Sequence, residues 1–183
     1  RLAETGTEVT INQTIEKVQA AKKRSVELID YTIWNVTQIK YPLMTLLNLN
    51  PNSTFSNQFY DMSGGAAANL TKYDSIAVFM PSPTESQKVG ADSDRWLGAV
   101  VDDVVIGEFF DYVPGADYPD NGCSAQVYTS PDYTELEVLS PFNALRLDET
   151  HNFTIRWRLH KLPESAVSPD EIRTAAVNWL QSF

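Results

Sequence analysis

The sequence is short of cysteine, histidine and basic residues, and each shortage removes a class of chemistry. One cysteine, Cys123, stands in 183 residues. A disulfide framework needs pairs and a zinc site needs clustered Cys or His, so the sequence supports neither. The two histidines, His151 and His160, are not placed near a Ser or Cys in a way that suggests a catalytic triad. Lys and Arg number 14 against 24 Asp and Glu, a formal net charge of −10. Attraction to phosphate requires a basic face, so nucleic acid and anionic membranes are disfavoured as partners, while neutral ligands such as sugars remain open. No apolar run approaches the roughly 20 residues that span a bilayer, and no short apolar segment follows a basic start as in an uncleaved signal peptide. The chain reads as cytosolic or already processed.

What is present is the composition of one globular domain, with 43% hydrophobic and 21% charged residues. Five N-x-[ST] sequons occur, at Asn12, Asn35, Asn52, Asn69 and Asn152. With eleven asparagines in the chain, chance gives about two. The excess favours a secreted, extracellular glycoprotein with these asparagines at surface positions. Cys123 is expected to be a small buried strand residue. In a secreted chain a single cysteine also offers a disulfide to a second polypeptide.

Alternation with period two dominates, the mark of strands with one buried face. Glu8 to Val18 reads as a strand turning at Lys22-Lys23-Arg24 into a hairpin. Further strands are expected over Val26 to Trp34, over Ile39 to Leu47 with Pro42 at an edge or bulge, and over Ile76 to Met80. Asn48 to Thr71 reads as a long surface loop. Trp96 to Phe110 predicts a hairpin turning at Asp102-Asp103. The C-terminus alone looks helical: Ser168 as N-cap, Pro169 at the first position and Glu171 completing a capping box start a helix that runs to about Gln181. Its apolar stripe, Ile172, Ala176, Trp179, Leu180 and Phe183, should dock on a sheet. A mainly β domain over 1–165 followed by a docked helix over 166–183 results.

The chemistry concentrates between Tyr118 and Trp157. Glu135 and Glu137 alternate with Leu136 and Val138, so on a strand both carboxylates share one face. That face is either solvated or a site in which partial desolvation raises a carboxyl pKa and makes a general base. Tyr118, Tyr128, Tyr133, Trp96 and Trp157 lie close in the expected hairpins, and flat rings beside carboxylates suit a sugar. Core burial is the alternative, preferred for Trp157. Asp120 joins Tyr118 as a substrate-binding candidate. Asp117, Asp120 and Asn121 offer oxygen ligands to calcium, but a turn stabilised by Asp and Asn side chains accounts for them better. His151 is placed in a turn at Asp148-Glu149-Thr150. No cofactor and no metal site is predicted.

The strings Tyr118-Pro119-Asp120, Gly122, Val127-Tyr128, Tyr133, Glu135-Leu136-Glu137, Ser140-Pro141 and Thr154 to Leu159 resemble the C-terminal half of an uncharacterised family related to the aldose 1-epimerases, the galactose mutarotase-like proteins. Glu4-Thr5-Gly6, the strand ending in Asn35, Thr37-Gln38, Lys88-Val89-Gly90 and Trp96-Leu97 follow the same family in the same order. The resemblance spans about Glu4 to Leu162. It implies an antiparallel β-supersandwich with a sugar site on a concave sheet, and it places Glu137 as the base that takes the anomeric hydroxyl proton. No residue matches the family's acid histidine, which leaves the acid role unassigned and opens the alternative of a noncatalytic carbohydrate-binding or structural sandwich. Members of that superfamily usually extend well ahead of the segment that Arg1 begins. A separate N-terminal polypeptide, removal by processing, or a partner chain that completes the sheet is therefore expected, with Cys123 as a candidate link.

Overall fold

Along the strands the alternation of side chains sorts apolar from polar faces, and two sheets bury their apolar faces against each other. The computed structural model describes residues 8–16, 29–53, 59–145 and 150–183. Fourteen strands appear among them: β1 (Glu8–Glu16), β2 (Ile29–Tyr31), β3 (Trp34–Lys40), β4 (Met44–Leu49), β5 (Phe59–Asp61), β6 (Leu70–Tyr73), β7 (Ile76–Phe79), β8 (Gln87–Ala91), β9 (Ser93–Val101), β10 (Val104–Phe110), β11 (Ala125–Thr129), β12 (Tyr133–Leu139), β13 (Asn143–Leu145) and β14 (Thr150–Lys161). One sheet has seven strands in the order β1-β14-β10-β9-β4-β7-β6, a second has five in the order β3-β12-β11-β8-β5, and β13 pairs with β2. Every pairing is antiparallel. The mainly antiparallel β-sandwich with a C-terminal helix is the fold expected from the sequence.

Between the sheets, Leu47, Phe79, Leu97 and Ile155 of the larger pack on Val89, Val127, Leu136 and Val138 of the smaller. Burying each such side chain contributes about 1.5–3 kcal/mol. A second core lies on the other face of the larger sheet, where Met44, Leu46, Trp96, Val100 and Val105 meet Ala176 and Leu180 of the helix Pro169–Leu180. Ser168 and Glu171 cap that helix reciprocally: the Glu171 amide donates to Ser168 Oγ at 3.3 Å and the Ser168 amide donates to Glu171 Oε2 at 2.9 Å. Leu180 sits over the cross-strand pair Gly98 and Gly107. A Cβ at Gly98 would lie 2.8 Å from its Cδ1, and one at Gly107 2.6 Å from its Cδ2, so the two glycines make the hollow that receives it. Phe183, the last member of the stripe, meets Phe109 of β10 edge-on with centroids 5.3 Å apart while staying 59% exposed.

Several local expectations are corrected. β1 pairs with β14, and the expected hairpin turn at Lys22 to Arg24 lies outside the described residues. Pro42 falls in a break: β3 ends at Lys40 in one sheet and β4 starts at Met44 in the other, as fits a residue with no N–H to give a ladder. The expected loop over Asn48 to Thr71 contains β5 and a 3-10 turn at Ala66–Asn69 that leads into β6. His151 belongs to β14. The Trp96 to Phe110 hairpin forms as predicted, with Asp102 in the left-handed region at φ 55° where Asp is tolerated.

Candidate functional site

Period-two alternation on β12 sends Leu136 and Val138 inward and Glu135 and Glu137 to the outer face of the five-stranded sheet. There the register sets Glu137 beside Gln126 on β11 and Val36 on β3. Glu137 is only 1% exposed. Its Oε2 accepts from Lys88 Nζ at 2.8 Å and from the Trp34 indole N–H at 3.0 Å, and Oε1 is outside both bonds. Lys88 Nζ also lies 5.0 Å from the Trp34 ring centroid, in cation–π range. Burial raises the Glu137 pKa above its ordinary value, the bonds from Lys88 and Trp34 counter that, and Glu135 raises it again. The Trp34 ring is half exposed at 50%. Tyr128 and Tyr133 extend the same face as a tilted pair with centroids 6.0 Å apart, and Glu135 is the cross-strand partner of Tyr128.

The cluster brings together a desolvated carboxyl, an ammonium beside it and a half-exposed indole on one face of the sheet. The two carboxylates share one face, as the alternation predicts. Glu137 lines neither the cavity of about 520 Å3 nor the one of about 890 Å3.

The other sequence candidates lie elsewhere. Trp96 is buried beneath the C-terminal helix on the far side of the larger sheet. Trp157 packs against the inter-sheet core. Tyr118 is buried, stacked on Tyr112 with centroids 5.6 Å apart and planes at 4°. Asp120 connects to the carboxylate face, since its Oδ2 accepts from Gln126 Nε2 at 2.6 Å. Asp120, Asn121 and Gly122 are consecutively left-handed, with φ of 50°, 64° and 92°, in a turn closed by the Cys123 amide donating to the Pro119 carbonyl at 2.9 Å. Asp, Asn and Gly are the residues that tolerate this region, so the turn explains the Asp-Asn-Gly string. Among the described residues no cluster of His, Cys, Asp and Glu could hold a metal ion.

The lone cysteine is free and lies inside the fold, as a small apolar residue is expected to. Cys123 is fully buried, with its sulfur against Gly90, where a Cβ would come within 2.5 Å of it. Burial and then the nearby Asp120 push the thiol up to about 12. Neither access nor reactivity suits an intermolecular disulfide.

The sequons also divide. Asn52 and Asn152 are exposed, and Asn12 lies on β1 opposite Thr154. Asn69 is half buried and donates to Gln87 Oε1 at 2.9 Å. The surface expectation fails at Asn35, which is 7% exposed and turned between the sheets, its Oδ1 accepting from the Thr37 hydroxyl at 3.3 Å. A glycan has no room there.

Trp34 and Lys88 are the members of the Glu137 cluster that sequence reasoning did not single out. Each stood only inside a quoted strand or string. Lys88 is 49 residues from Glu137 along the chain, and no spacing rule reaches that far.

No protein-family model matches the sequence, and no curated protein matches it. Among solved structures, the fold is similar to that of the Slr1438 protein from Synechocystis sp. PCC 6803, with a TM-score of 0.56 and 11% identity over 84% of this chain and 51% of that one. The chain spans about half the length of that protein. At that identity the likeness concerns the fold alone.

Proposed function

We propose that the chain is a secreted carbohydrate-binding protein of the galactose mutarotase-like type, which holds a pyranose against Trp34 and transfers protons at its anomeric centre through Glu137 and Lys88. The observation that carries this reading is the Lys88–Glu137–Trp34 cluster, a carboxyl and an ammonium 2.8 Å apart beside a half-exposed indole. Glu137 takes the proton of the anomeric hydroxyl while the bond from C1 to the ring oxygen breaks. Lys88, as the ammonium, gives a proton to that ring oxygen. Rotation about the C1–C2 bond presents the other carbonyl face, and the reverse transfers close the ring and restore both residues. Lys88 thereby fills the acid role that has no matching histidine.

A noncatalytic carbohydrate-binding sandwich is the second reading. It is favoured by the 1% exposure of Glu137 and by the engagement of its Oε2 with two donors. Polarimetry of freshly dissolved glucose, galactose and mannose separates the two. The catalytic reading expects anomerisation above the buffer rate in wild type, reduced by about 10²-fold or more in Glu137→Gln. Equal, buffer-level rates in both proteins discard it and leave binding alone. For secretion, the exposed Asn52 and Asn152 predict a mass decrease when native material is treated with an N-glycan-releasing enzyme.

A further inference from the structure

The Lys88–Glu137–Trp34 cluster occupies one end of a longer face. Tyr133, Glu135 and Glu137 alternate with inward residues and so share the outer side of β12. The register sets Val36 and Gln38 of β3 beside Glu137 and Glu135, with Gln126 and Tyr128 of β11 on their other side. Lys88 of β8 is the cross-strand partner of Tyr128. The helix Pro169–Leu180 packs on the other sheet, and Trp34, Val36, Gln38 and Lys40 are exposed along the edge of this one.

Two aromatic platforms stand on the face. Half-exposed Trp34 is one. The other is the tilted pair of Tyr128 and Tyr133, both partly exposed, with centroids 6.0 Å apart. Tyr133 precedes Glu137 by four residues on β12, a span of about 13 Å at the rise of a strand. One pyranose held against Trp34 with its anomeric carbon at Glu137 does not extend that far. Between the platforms lie the Gln38 amide and the Glu135 carboxylate, paired across β3 and β12.

These groups select among the occupants of a flat face. The centre of a protein–protein interface is depleted of Lys and Glu, whereas Glu135, Glu137 and Lys88 stand in the middle of this one. The same carboxylates, in a chain of net charge −10, repel the phosphates of nucleic acid and of anionic lipid. A chain of pyranoses presents what the face can use, since each unit has an apolar ring face for an aromatic platform and a rim of hydroxyls for amide and carboxylate partners.

We infer that the outer face of the five-stranded sheet binds a neutral, extended β-1,4-linked oligosaccharide, with its reducing unit at Trp34 and a more distant unit at Tyr128 and Tyr133. The inference rests on the reading of the Glu137 cluster as a sugar site, and the tyrosine pair is what it adds. A β-1,4-linked chain runs straight and can follow a strand, whereas an α-1,4-linked chain curls away from it. Glu135 lies along the path and disfavours chains that carry carboxylates.

The test is an NMR titration of the full chain with glucose, cellotetraose and maltotetraose, following the Trp34 indole N–H and the backbone amides of Tyr128 and Tyr133. Cellotetraose is expected to bind on the order of tenfold more tightly than glucose and to move all three signals, while glucose moves the indole alone. Tyr128→Leu and Tyr133→Leu should each lose most of that gain and keep the wild-type response to glucose, which also shows that the fold is intact. Equal affinity for glucose and cellotetraose, a maltotetraose response that matches that of cellotetraose, or leucine variants that keep the full gain overturn the inference and leave the single-sugar site standing. Leucine variants that weaken glucose and cellotetraose alike overturn it too. A Trp34 indole that none of the three sugars moves overturns the inference together with the reading beneath it.

Discussion

Two buried carboxyls, Glu108 and Glu137, show how differently one residue type behaves in two surroundings. Glu108 lies on β10 between the sheets and is fully buried. Burial pushes it to about 8. A carboxyl raised from 4.5 to about 8 keeps its proton in the folded state over an interval in which the unfolded chain has released it. Its favourable contribution is therefore complete below about 4.5, declines as pH rises through that window, and is gone above about 8. Glu108→Gln keeps the shape and removes the titration, so its thermal midpoint should change less between those limits than that of wild type. An unchanged slope in the variant would mean that the decline has another source. Glu137 instead has Lys88 and Trp34 as donors. Lys88→Met strands a buried carboxylate, and because Lys88 is 25% exposed the expected loss is about 1–2 kcal/mol, below the range for a fully buried pair. Adding Glu137→Gln should recover most of it. A double variant as unstable as the sum of the two singles would show that the pair is not coupled.

At the scale of elements, what was legible in the sequence is what local chemistry decides. Ser168, Pro169 and Glu171 lie within one helical turn, and they start the helix where their side chains predict. The β9–β10 hairpin closes through adjacent residues and was likewise readable. Packing partners were not. Nothing in the string Leu97-Gly98-Ala99 or Ile106-Gly107-Glu108 reveals that both glycines receive the side chain of Leu180, which lies at the end of the C-terminal helix. That hollow makes a prediction: Gly98→Ala drives a methyl into Leu180 Cδ1 and towards the Ile106 carbonyl, 3.1 Å away, at a cost of about 1–3 kcal/mol. Chemical denaturation of Gly98→Ala, Leu180→Ala and the double variant checks it. The double should be more stable than the sum of the single losses predicts, because removing Leu180 makes room for the new methyl. Strict additivity would place the helix elsewhere.

At the scale of the molecule, the sandwich is assembled from pairings between distant strands. β1 meets β14, β3 meets β12, and the five-stranded sheet takes one strand before the β4 crossing and the rest after it. Period-two patterning identifies strands and their buried faces, and hence the shared face of Glu135 and Glu137. It carries no information on which strand lies beside which. The sheet order alone brings Lys88 and Trp34 to Glu137 from β8 and β3, and the same order sends Trp96 to the far layer. The account depends on a sugar lying over this cluster. It is tested most directly by the indole N–H resonance of Trp34, assigned by its loss in Trp34→Phe, during titration with glucose, galactose and mannose. At least one hexose should shift that resonance in a saturable way while the indole signal of buried Trp96 stays still. A Trp34 resonance that none of the three moves would contradict the account.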